Sequence, residues 1–500
     1  MYFNFSKSKY TAFVQCPKML WLKTYRPELA AEDPAAQKRM AQGNAVGDLA
    51  MALFGDYEEM TAFKEDGKLD LSKMIKNTAE AVKRGVENIC EAAFSFNGLY
   101  CAVDILHKDK DGYAVYEVKS STSPKPVYFT DIAYQKYVLE KCGIAVTGTY
   151  VVHIDNGYVF DGTLDLKSLF KIADVSKNIQ NENETRDVEA VLATAKRVLS
   201  TRREPTLDLS EGCESPYPCA FWKYCARRIP APSVFDVYRM PFTKQLELYR
   251  AGAIALNDVK AQTTLTALQR QQIDFILEDK PEYIDKDGVK SFLDKLFYPL
   301  YFLDFETTQF AVPKFLNSKP YQQIPFQYSL HCLESESGKL AHKEFLDLSG
   351  NDPRRALAER LCEDIPKNAC VLAFNSAFEK SQLNELSQLF PDLSEQLTAI
   401  RENVYDLLEP FRKGYYYNKA IGGSFSLKSI LPAMFPNDPD LDYRRLDGVQ
   451  NGGEAAEIYQ LVKDMSPEKR EIAKNNLLAY CKLDTYATVK ILQKLKELCK

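Results

Sequence analysis

Two apolar-rich runs separated by a polar turn lie in the first third of the chain. Residues 99–107 read LYCAVDILH, residues 113–120 read YAVYEVKS, and KDKDG lies between them. Two such runs joined by a turn that contains Gly predict a β-hairpin. Helical spacing over Asp131–Glu140 predicts a helix directly after this hairpin.

The same patterning predicts the other elements, and its character changes near residue 296. Before that point we expect a strand at Gly148–Ile154 and mainly helices elsewhere: Lys7–Tyr25, Lys38–Ala52, part of Leu71–Phe94, Thr185–Ser200, Lys244–Gly252, Thr264–Glu278 and Gly288–Leu296. After it, apolar strands alternate with helices, which is typical of an α/β sheet. The predicted strands are Tyr298–Thr307, Pro325–Leu333, Ala341–Leu348 and Ala369–Asn375, and the predicted helices are Arg354–Glu363, Ser376–Leu389 and Glu471–Leu498.

The length of the chain indicates more than one domain. Because 500 residues exceed what one hydrophobic core holds, we expect domains at 1–229 and 298–500, joined by a helical connector at 230–297. A hydrophobic content of 45% and a charged content of 27% are ordinary for a globular protein. The net charge of −5 requires any nucleic-acid surface to be a local basic patch. Since no secretory signal or membrane-length apolar run is recognisable, a cytoplasmic location is expected.

The twelve cysteines are unevenly spaced, unlike those of a secreted disulfide framework. Cys213, Cys219 and Cys225 are separated by five residues each in a loop that contains two prolines. Such a cluster in a reducing compartment favours metal binding over simple packing. A fourth ligand is needed, and Cys16 is the candidate.

The hairpin also carries a set of charged residues. Glu117 and Lys119 lie two residues apart on the second strand and therefore share a face. Asp104 on the first strand and Gln135 on the following helix can lie close to them. Carboxylates bind Mg²⁺ or Mn²⁺, and metal-bound water beside a lysine suits the hydrolysis of a phosphodiester. A solvated hairpin with an ordinary salt bridge is the alternative for so short a motif.

This set resembles the RecB-like branch of the PD-(D/E)XK nucleases. Cys16 followed by Pro17 resembles the opening motif of the iron–sulfur members of that branch, which include CRISPR-associated nucleases. The resemblance implies a restriction-endonuclease-like fold with a 4Fe–4S cluster, and a Cys₄ zinc site is the alternative. It also implies catalysis by Asp104, Glu117, Lys119 and Gln135, metal binding by Asp104 and Glu117, and cluster binding by Cys16, Cys213, Cys219 and Cys225. It departs at Gly47, where the family has a histidine, so one metal ligand is either missing or supplied by another residue, for which Asp48 is a candidate.

A second set of acidic residues lies in the C-terminal part. Asp304 and Glu306 share a face of a predicted strand, and Tyr480 and Asp484 are four residues apart on the last helix. Glu379 follows a strand–helix step between them. This order resembles the tyrosine-bearing DEDD exonucleases of the RNase H-like fold. The resemblance implies two metal ions about 3.5–4 Å apart, with Tyr480 positioning the attacking water. The implied metal ligands are Asp304, Glu306, Glu379 and Asp484, although Glu379 stands where the family has aspartate and Asp406 is a candidate helper.

The stretches YPLYFLDFET, AFNSAFEK and YCKLDT also resemble an uncharacterised bacterial family of RNase H-like domains that occurs fused to RecB-like domains. We therefore expect a two-module nuclease that acts on DNA single strands or ends in repair, defence or CRISPR-type processing. Candidate strand contacts, for which ordinary packing is the commoner role, are Lys18, Trp21, Lys23 and Trp222. A non-catalytic nucleic-acid-binding or adaptor protein is the alternative, which the exchanges at Gly47 and Glu379 favour.

Overall fold

The computed structural model describes residues 5–33 and 36–500, which form a mixed α/β structure in two compact units. The first unit contains the described residues up to Arg228 together with Phe310–Tyr321. The second contains Ile229–Gln309 and Gln322–Lys500, so residues 230–297 cluster with the C-terminal part of the chain. In the described part of the chain, no helix has the combined length and apolar character needed to cross a membrane.

A seven-stranded mixed sheet lies at the centre of the first unit. Its strands are β1 (Phe5–Ser6), β2 (Glu58–Glu59), β3 (Asn88–Phe96), β4 (Leu99–Lys108), β5 (Tyr113–Lys119), β6 (Val146–Ile154) and β7 (Phe170–Asp174). Strands β2 to β7 follow one another across the sheet in chain order, and β1 pairs with the start of β4. The predicted hairpin is confirmed as β4 and β5, which pair antiparallel from Ile105 opposite Tyr116 to Lys108 opposite Tyr113.

Helices cover both faces of this sheet. They are α1 (Lys7–Gln15), α2 (Pro17–Tyr25), α3 (Ala36–Ala50), α4 (Leu71–Arg84), α5 (Pro126–Lys141), α6 (Leu166–Leu169), α7 (Ser176–Thr185), α8 (Val188–Ser200) and α9 (Trp222–Cys225). Helices α1 and α5 pack on one face, where the Tyr10 and Tyr134 rings stack with centroids 5.0 Å apart. Helix α3 packs on the other face through Val46 and Ala50.

The predicted helix Lys7–Tyr25 is wrong in one respect, because the structure divides it into α1 and α2 at Cys16. Cys16 is extended, with φ −163°, since a proline at position 17 disfavours the helical conformation in the residue before it. The break leaves the Cys16 side chain at the junction of two helices.

In strand β3, the alternation of side chains between the two faces of the sheet is interrupted at Glu91. Ile89 and Ala92 are buried in the same core, although strict alternation would place them on opposite faces. The change occurs because Glu91 has a φ of 53°, and the ladder with β4 passes from Cys90 directly to Ala92. A positive φ is uncommon for glutamate, so the surrounding structure must hold a strained backbone conformation here.

The second unit contains a five-stranded mixed sheet in the order β11-β10-β9-β12-β13, and a separate two-stranded sheet. Its strands are β8 (Glu282–Ile284), β9 (Leu300–Thr308), β10 (Ile324–Leu333), β11 (Ala341–Leu346), β12 (Cys370–Ala373), β13 (Val404–Asp406) and β14 (Tyr416–Asn418). The central strand β9 pairs antiparallel with β10 and parallel with β12. The predicted strand Tyr298–Thr307 is thereby confirmed with a small shift in its bounds.

The helices of the second unit are α10 (Phe242–Arg250), α11 (Leu256–Gln262), α12 (Ala267–Leu277), α13 (Lys286–Leu293), α14 (Arg354–Asp364), α15 (Ala377–Leu389), α16 (Ser394–Glu402), α17 (Glu409–Arg412), α18 (Leu427–Met434), α19 (Gly452–Leu461) and α20 (Pro467–Cys499). Each face of the five-stranded sheet supports a separate core. Phe302 packs with residues of α20 on one face, and Leu303 packs with residues of α14 and α15 on the other. The long helix α20 therefore lies directly over β9, which brings their polar residues together.

Candidate metal and catalytic sites

The side chains predicted for the first site meet where β4, β5 and α5 adjoin. Glu117 lies at their centre and only 1% of it is exposed. Its Oε1 accepts hydrogen bonds from Lys119 Nζ at 2.6 Å and from Lys7 Nζ at 2.7 Å. Its Oε2 accepts a hydrogen bond from Gln135 Nε2 at 2.6 Å. The Gln135 Oε1 is buried without a partner in the described part of the chain, which leaves an acceptor available inside the site.

Asp104 and Glu91 add two further carboxylates on the neighbouring strands. Asp104 lies one step beyond the Ile105–Tyr116 pair, opposite Glu117, and accepts a hydrogen bond from the Val118 N–H at 2.6 Å. Glu91 stands at the matching level of β3, between the paired residues on either side of it. Three hydrogen-bonded strands thus carry three carboxylates in one row.

These carboxylates differ in their charge state. Burial opposes the ionisation of Glu117, but the Lys119 and Lys7 ammonium groups outweigh burial and lower its pKa well below the usual range. Burial, followed by the charge of Glu117, raises the pKa of Asp104 to about 6. Burial, followed by the charge of Asp104, raises the pKa of Glu91 to about 7. In this row, the two lysines therefore offset the charge of Glu117. Asp104 and Glu91 have too little positive charge nearby to outweigh the effect of burial on their pKa.

Three members of this site were missed by the sequence reasoning, namely Lys7, Glu91 and Asp131. Lys7 lies 110 residues from Glu117 in the chain, and no local pattern links the two residues. Asp131 accepts a hydrogen bond from Lys119 Nζ at 3.2 Å, and its position four residues before Gln135 could have suggested it. Asp48, expected as a substitute for the family histidine, is exposed on α3.

The second site lies where β9 and α20 cross. Asp304, Glu306 and Cys481 each offer one ligand atom, and these atoms all lie within 4.8 Å of one another. The Cys481 thiol donates to Asp304 Oδ2 at 3.6 Å. Cys481 was not predicted as a site residue, although it lies directly after Tyr480 and three residues before Asp484.

Asp484 is held by two tyrosines. The Tyr443 hydroxyl donates a short hydrogen bond to Asp484 Oδ1, and the Tyr480 hydroxyl donates to the same carboxylate. The Lys428 ammonium lies 5.5 Å from the centre of the Tyr443 ring and 5.8 Å from that of Tyr480. Tyr443 and Lys428 were missed because each is remote in sequence from the predicted motifs.

Glu379 approaches this site from the first turn of α15. It is 3% exposed, and its Oε2 has no hydrogen-bond partner among the residues that the structure describes. Its charge raises the pKa of both Asp304 and Glu306, but it is not part of the cluster whose ligand atoms all lie within 4.8 Å of one another. Asp406, the candidate helper, is engaged otherwise, because its Oδ2 accepts a hydrogen bond from Arg412 at 3.1 Å.

Burial disfavours the ionisation of all four acidic residues, and acidic neighbours within the site add to this effect at Asp304 and Glu306. Burial and then the charges of Asp484, Glu306 and Glu379 raise the pKa of Asp304 well above its ordinary value. Burial raises the pKa of Glu306 and of Glu379 to about 8 and that of Asp484 to about 6. A bound cation would stabilise the ionised form of these carboxylates and thereby lower their raised pKa values.

The four candidate cysteines line one cavity in the first unit. Cys16 lies between α1 and α2, and Gln15 Nε2 donates to the Gly212 carbonyl at 2.8 Å, which ties this junction to the loop with the other three. A Cβ at position 212 would lie 2.4 Å from the Gln15 carbonyl oxygen, so only glycine permits this approach. Among the residues described, no three of the four sulfur atoms lie within 4.8 Å of one another. All four thiols are free.

The candidate strand contacts of the first unit have structural roles. Trp21 is buried and its ring packs against Tyr25 at 5.3 Å. Trp222 lines the cysteine cavity, and Lys18 pairs with Glu204 at 2.9 Å. Of the four candidates, only Lys23 is exposed.

Comparisons with known proteins bear mainly on the second unit. A family model described as a domain of unknown function (DUF2779) matches residues 301–426, which include Asp304, Glu306 and Glu379. An uncharacterized protein of Mycoplasma genitalium, MG366, is 25% identical over 216 residues. That match covers 40% of this chain and 32% of the relative, so the chain spans about a third of the relative's length. No solved structure matches the chain significantly.

Proposed function

We propose that the chain is a metal-dependent nuclease with two modules, which hydrolyses phosphodiester bonds in DNA single strands or ends. The observation that carries the proposal is the cluster of Asp304 and Glu306 with Cys481 where β9 and α20 cross, to which Asp484 on α20 and the buried Glu379 on α15 add two further carboxylates. These four carboxylates come from a strand and two helices, and no lysine or arginine forms an ion pair with any of them among the described residues. Evolution rarely retains unneutralised buried acids without a function, because each destabilises the fold.

The donor set fits divalent cations that prefer oxygen ligands. The Glu379 Oε2, buried without a partner, is the kind of atom that such a cation would satisfy. Mg²⁺ or Mn²⁺ held by these carboxylates would acidify water and neutralise charge on the phosphate oxygens. The β9 carboxylates and Asp484 would hold it, because they already lie on facing elements.

The neighbouring side chains supply orientation and charge. Tyr480 and Tyr443 fix the Asp484 carboxylate from two sides, and a hydroxyl of either can orient a water molecule beside it. Lys428 is exposed close to both rings and lowers the pKa of Glu306 and Asp484, so its charge is directed at the site. A phosphate that binds there would meet a cationic group beside the carboxylates.

In the first unit, Asp104, Glu91 and Glu117 offer the corresponding set. Lys119 hydrogen bonds to Glu117, and it can orient a water molecule or offset charge on a phosphate. Gln135 holds the other oxygen of Glu117 and leaves its own carbonyl oxygen free to accept from water. A RecB-like PD-(D/E)XK fold for this unit and an RNase H-like fold for the second remain part of the proposal.

The cysteine cavity fits a metal centre with thiolate ligands. A tetrahedral zinc ion with Zn–S bonds of about 2.3 Å brings its sulfur atoms to about 3.8 Å from one another. A 4Fe–4S cluster is the larger alternative, and either centre would supply a cross-link between Cys16 and the loop about 200 residues later.

The proposal is tested with purified full-length protein, a labelled single-stranded oligodeoxynucleotide and Mn²⁺. We expect the release of short products that stops when the metal is chelated. A protein that releases nothing at millimolar Mn²⁺ and binds no Mn²⁺ by calorimetry would instead support the non-catalytic binding protein, which the exchanges at Gly47 and Glu379 favour.

Glu91 is expected to act as the third carboxylate ligand in the first site, where the family histidine is absent. Substituting Asn removes the charge, while Asn tolerates the positive φ at this position. Glu91→Asn should weaken Mn²⁺ binding at the first site by at least about tenfold. Calorimetry in an Asp304→Asn background isolates this site, and Glu140→Gln on the exposed side of α5 is the matched control. Equal affinity in both variants would contradict the role of Glu91.

The stability of the metal-free protein should fall as pH rises from about 5 to 9. The pKa values of Glu306 and Glu379 are raised to about 8 in the folded state, so the folded state binds more protons than the unfolded state above about pH 4.5. Their contribution to stability is therefore complete below the unfolded pKa and is lost as pH passes 8. We expect the Tm to gain more from Mn²⁺ at pH 8.5 than at pH 6.

The control for this prediction is the double variant Glu306→Gln with Glu379→Gln. In this variant the Tm should depend less on pH, and the increase in Tm on addition of Mn²⁺ should be smaller. An unchanged slope would show that other groups control the titration.

A further inference from the structure

A cavity of about 510 Å³ opens on the surface of the second unit beside α17 and the start of α18. Its lining combines arginines, aromatic rings and small polar groups: Tyr238, Arg239, Asn375, Arg412, Ser424 and Phe425. No acidic residue lines it. The whole chain has a net charge of −5, and the two arginines on this wall differ, because Arg412 pairs with Asp406 at 3.1 Å whereas Arg239 supplies a positive charge that no carboxylate of the lining offsets.

Arg239 is exposed at the edge of this cavity, and no carboxylate contacts its guanidinium in the described part of the chain. It has a φ of 47°, a conformation uncommon for arginine. The segment is nevertheless fixed, because Gln272 Oε1 accepts from the Tyr238 N–H at 2.8 Å and Gln269 Nε2 donates to the Tyr238 carbonyl at 2.9 Å. The fixed backbone therefore presents a guanidinium group that lies 5.5 Å from the centre of the Tyr238 ring and pairs with no carboxylate among the described residues.

Arg412 lies on the same wall and is held in place. It donates to Asp406 Oδ2 at 3.1 Å and to Asn375 Oδ1 at 2.6 Å. Two of its five N–H donors are thus used for positioning, and the others remain for a ligand. Asn375, which lines the cavity, lies just before α15 and four residues before Glu379, so the cavity adjoins the carboxylate site.

Aromatic rings complete the site. The ring centroids of Tyr238 and Phe425 lie 4.7 Å apart, and both side chains line the cavity. An aromatic surface beside arginines matches the two parts of a nucleotide, because bases stack on rings and guanidinium groups bind phosphates.

We propose that this cavity binds one nucleotide of a single-stranded nucleic acid, with its phosphate on Arg239 and Arg412 and its base on Tyr238. The inference rests on the proposed nuclease function, for which it supplies a strand-binding subsite next to Glu379. A strand held there would extend from the cavity to the carboxylates, and its register would determine which phosphodiester reaches them.

The test measures binding of a fluorescein-labelled single-stranded oligodeoxynucleotide by anisotropy. The full-length protein carries Asp104→Asn and Asp304→Asn, so that the strand is not cut during the measurement. Arg239→Ala should weaken binding about tenfold, as the loss of a charged hydrogen bond does. It should also reduce the dependence of log K on log salt concentration by about 0.7, the value for one phosphate contact on a single strand. Arg270→Ala, another exposed arginine of this unit, is the matched control.

Tyr238→Leu should weaken binding more than about fivefold, with no change in the salt dependence, because stacking carries no charge. Unchanged affinity and salt dependence for Arg239→Ala would overturn the proposal, and so would binding of free dAMP with no binding of the strand. The proposed nuclease function fails separately, if wild-type protein binds the strand but releases no product with Mn²⁺.

Discussion

Asp304→Asn is expected to lower the rate of nucleotide release by more than about a hundredfold when it is measured in an Asp104→Asn background. That background removes the contribution of the first site, so the remaining rate belongs to the second. Losing a neighbour that merely supports a metal ligand costs about 10–100-fold, and Asp304 is expected to contact the metal directly. The substitution keeps the shape of the side chain and removes only its charge.

Loss of folding would not explain this result. Asp304 is half-buried beside acids that raise its pKa, so its replacement by a neutral amide relieves repulsion, and the metal-free variant should have a Tm no lower than that of the parent. Asp294→Asn is the control, since Asp294 is an exposed residue of the same unit that pairs with Lys290 at 3.0 Å. If Asp104→Asn and Asp304→Asn together leave the rate untouched, the nuclease proposal is wrong.

Cys219→Ser is expected to remove the metal centre of the first unit and to destabilise that unit by roughly 5 kcal/mol. The magnitude follows from loop closure, because a cross-link between Cys16 and Cys213 closes a loop longer than the 100 residues for which about 4.7 kcal/mol is expected. Anaerobically purified wild-type protein should contain iron and absorb visible light, whereas the variant should lose both properties and melt earlier.

Cys142→Ser controls for the loss of a thiol as such, because Cys142 is exposed in the same unit and remote from the cavity. It should keep the iron, the colour and the Tm of the wild type. If the wild-type protein is colourless and contains stoichiometric zinc, the site is a Cys₄ zinc site and not an iron–sulfur cluster. A wild-type protein without bound metal would contradict both interpretations.

The family model that matches residues 301–426 ends before α20. Tyr480 and Asp484 therefore lie outside the matched part, although the structure brings Asp484 to the same site as Asp304. The proposed second site therefore draws a carboxylate from outside the matched segment.

The local spacing of apolar and polar residues was enough to predict the strands and helices that carry the candidate site residues. The hairpin of β4 and β5 follows from two apolar runs and a turn, and the pairs Asp304–Glu306 and Tyr480–Asp484 follow from the periods of a strand and a helix. The break at Cys16 was also readable, because Pro17 constrains the residue before it. These properties depend on residues close together in the chain, so a single sequence contains them.

Only the tertiary structure decided which distant groups complete each site. Lys7 reaches Glu117 because α1 packs on the face of the sheet from which that carboxylate projects. Tyr443 reaches Asp484 because its segment packs against α20, and Glu91 joins Asp104 through a positive φ that interrupts the alternation of β3. Side-chain spacing along a chain fixes neighbours within a few residues. Contacts across a hundred residues depend on how elements pack, and the burial that makes their charges interact strongly arises only in the folded state.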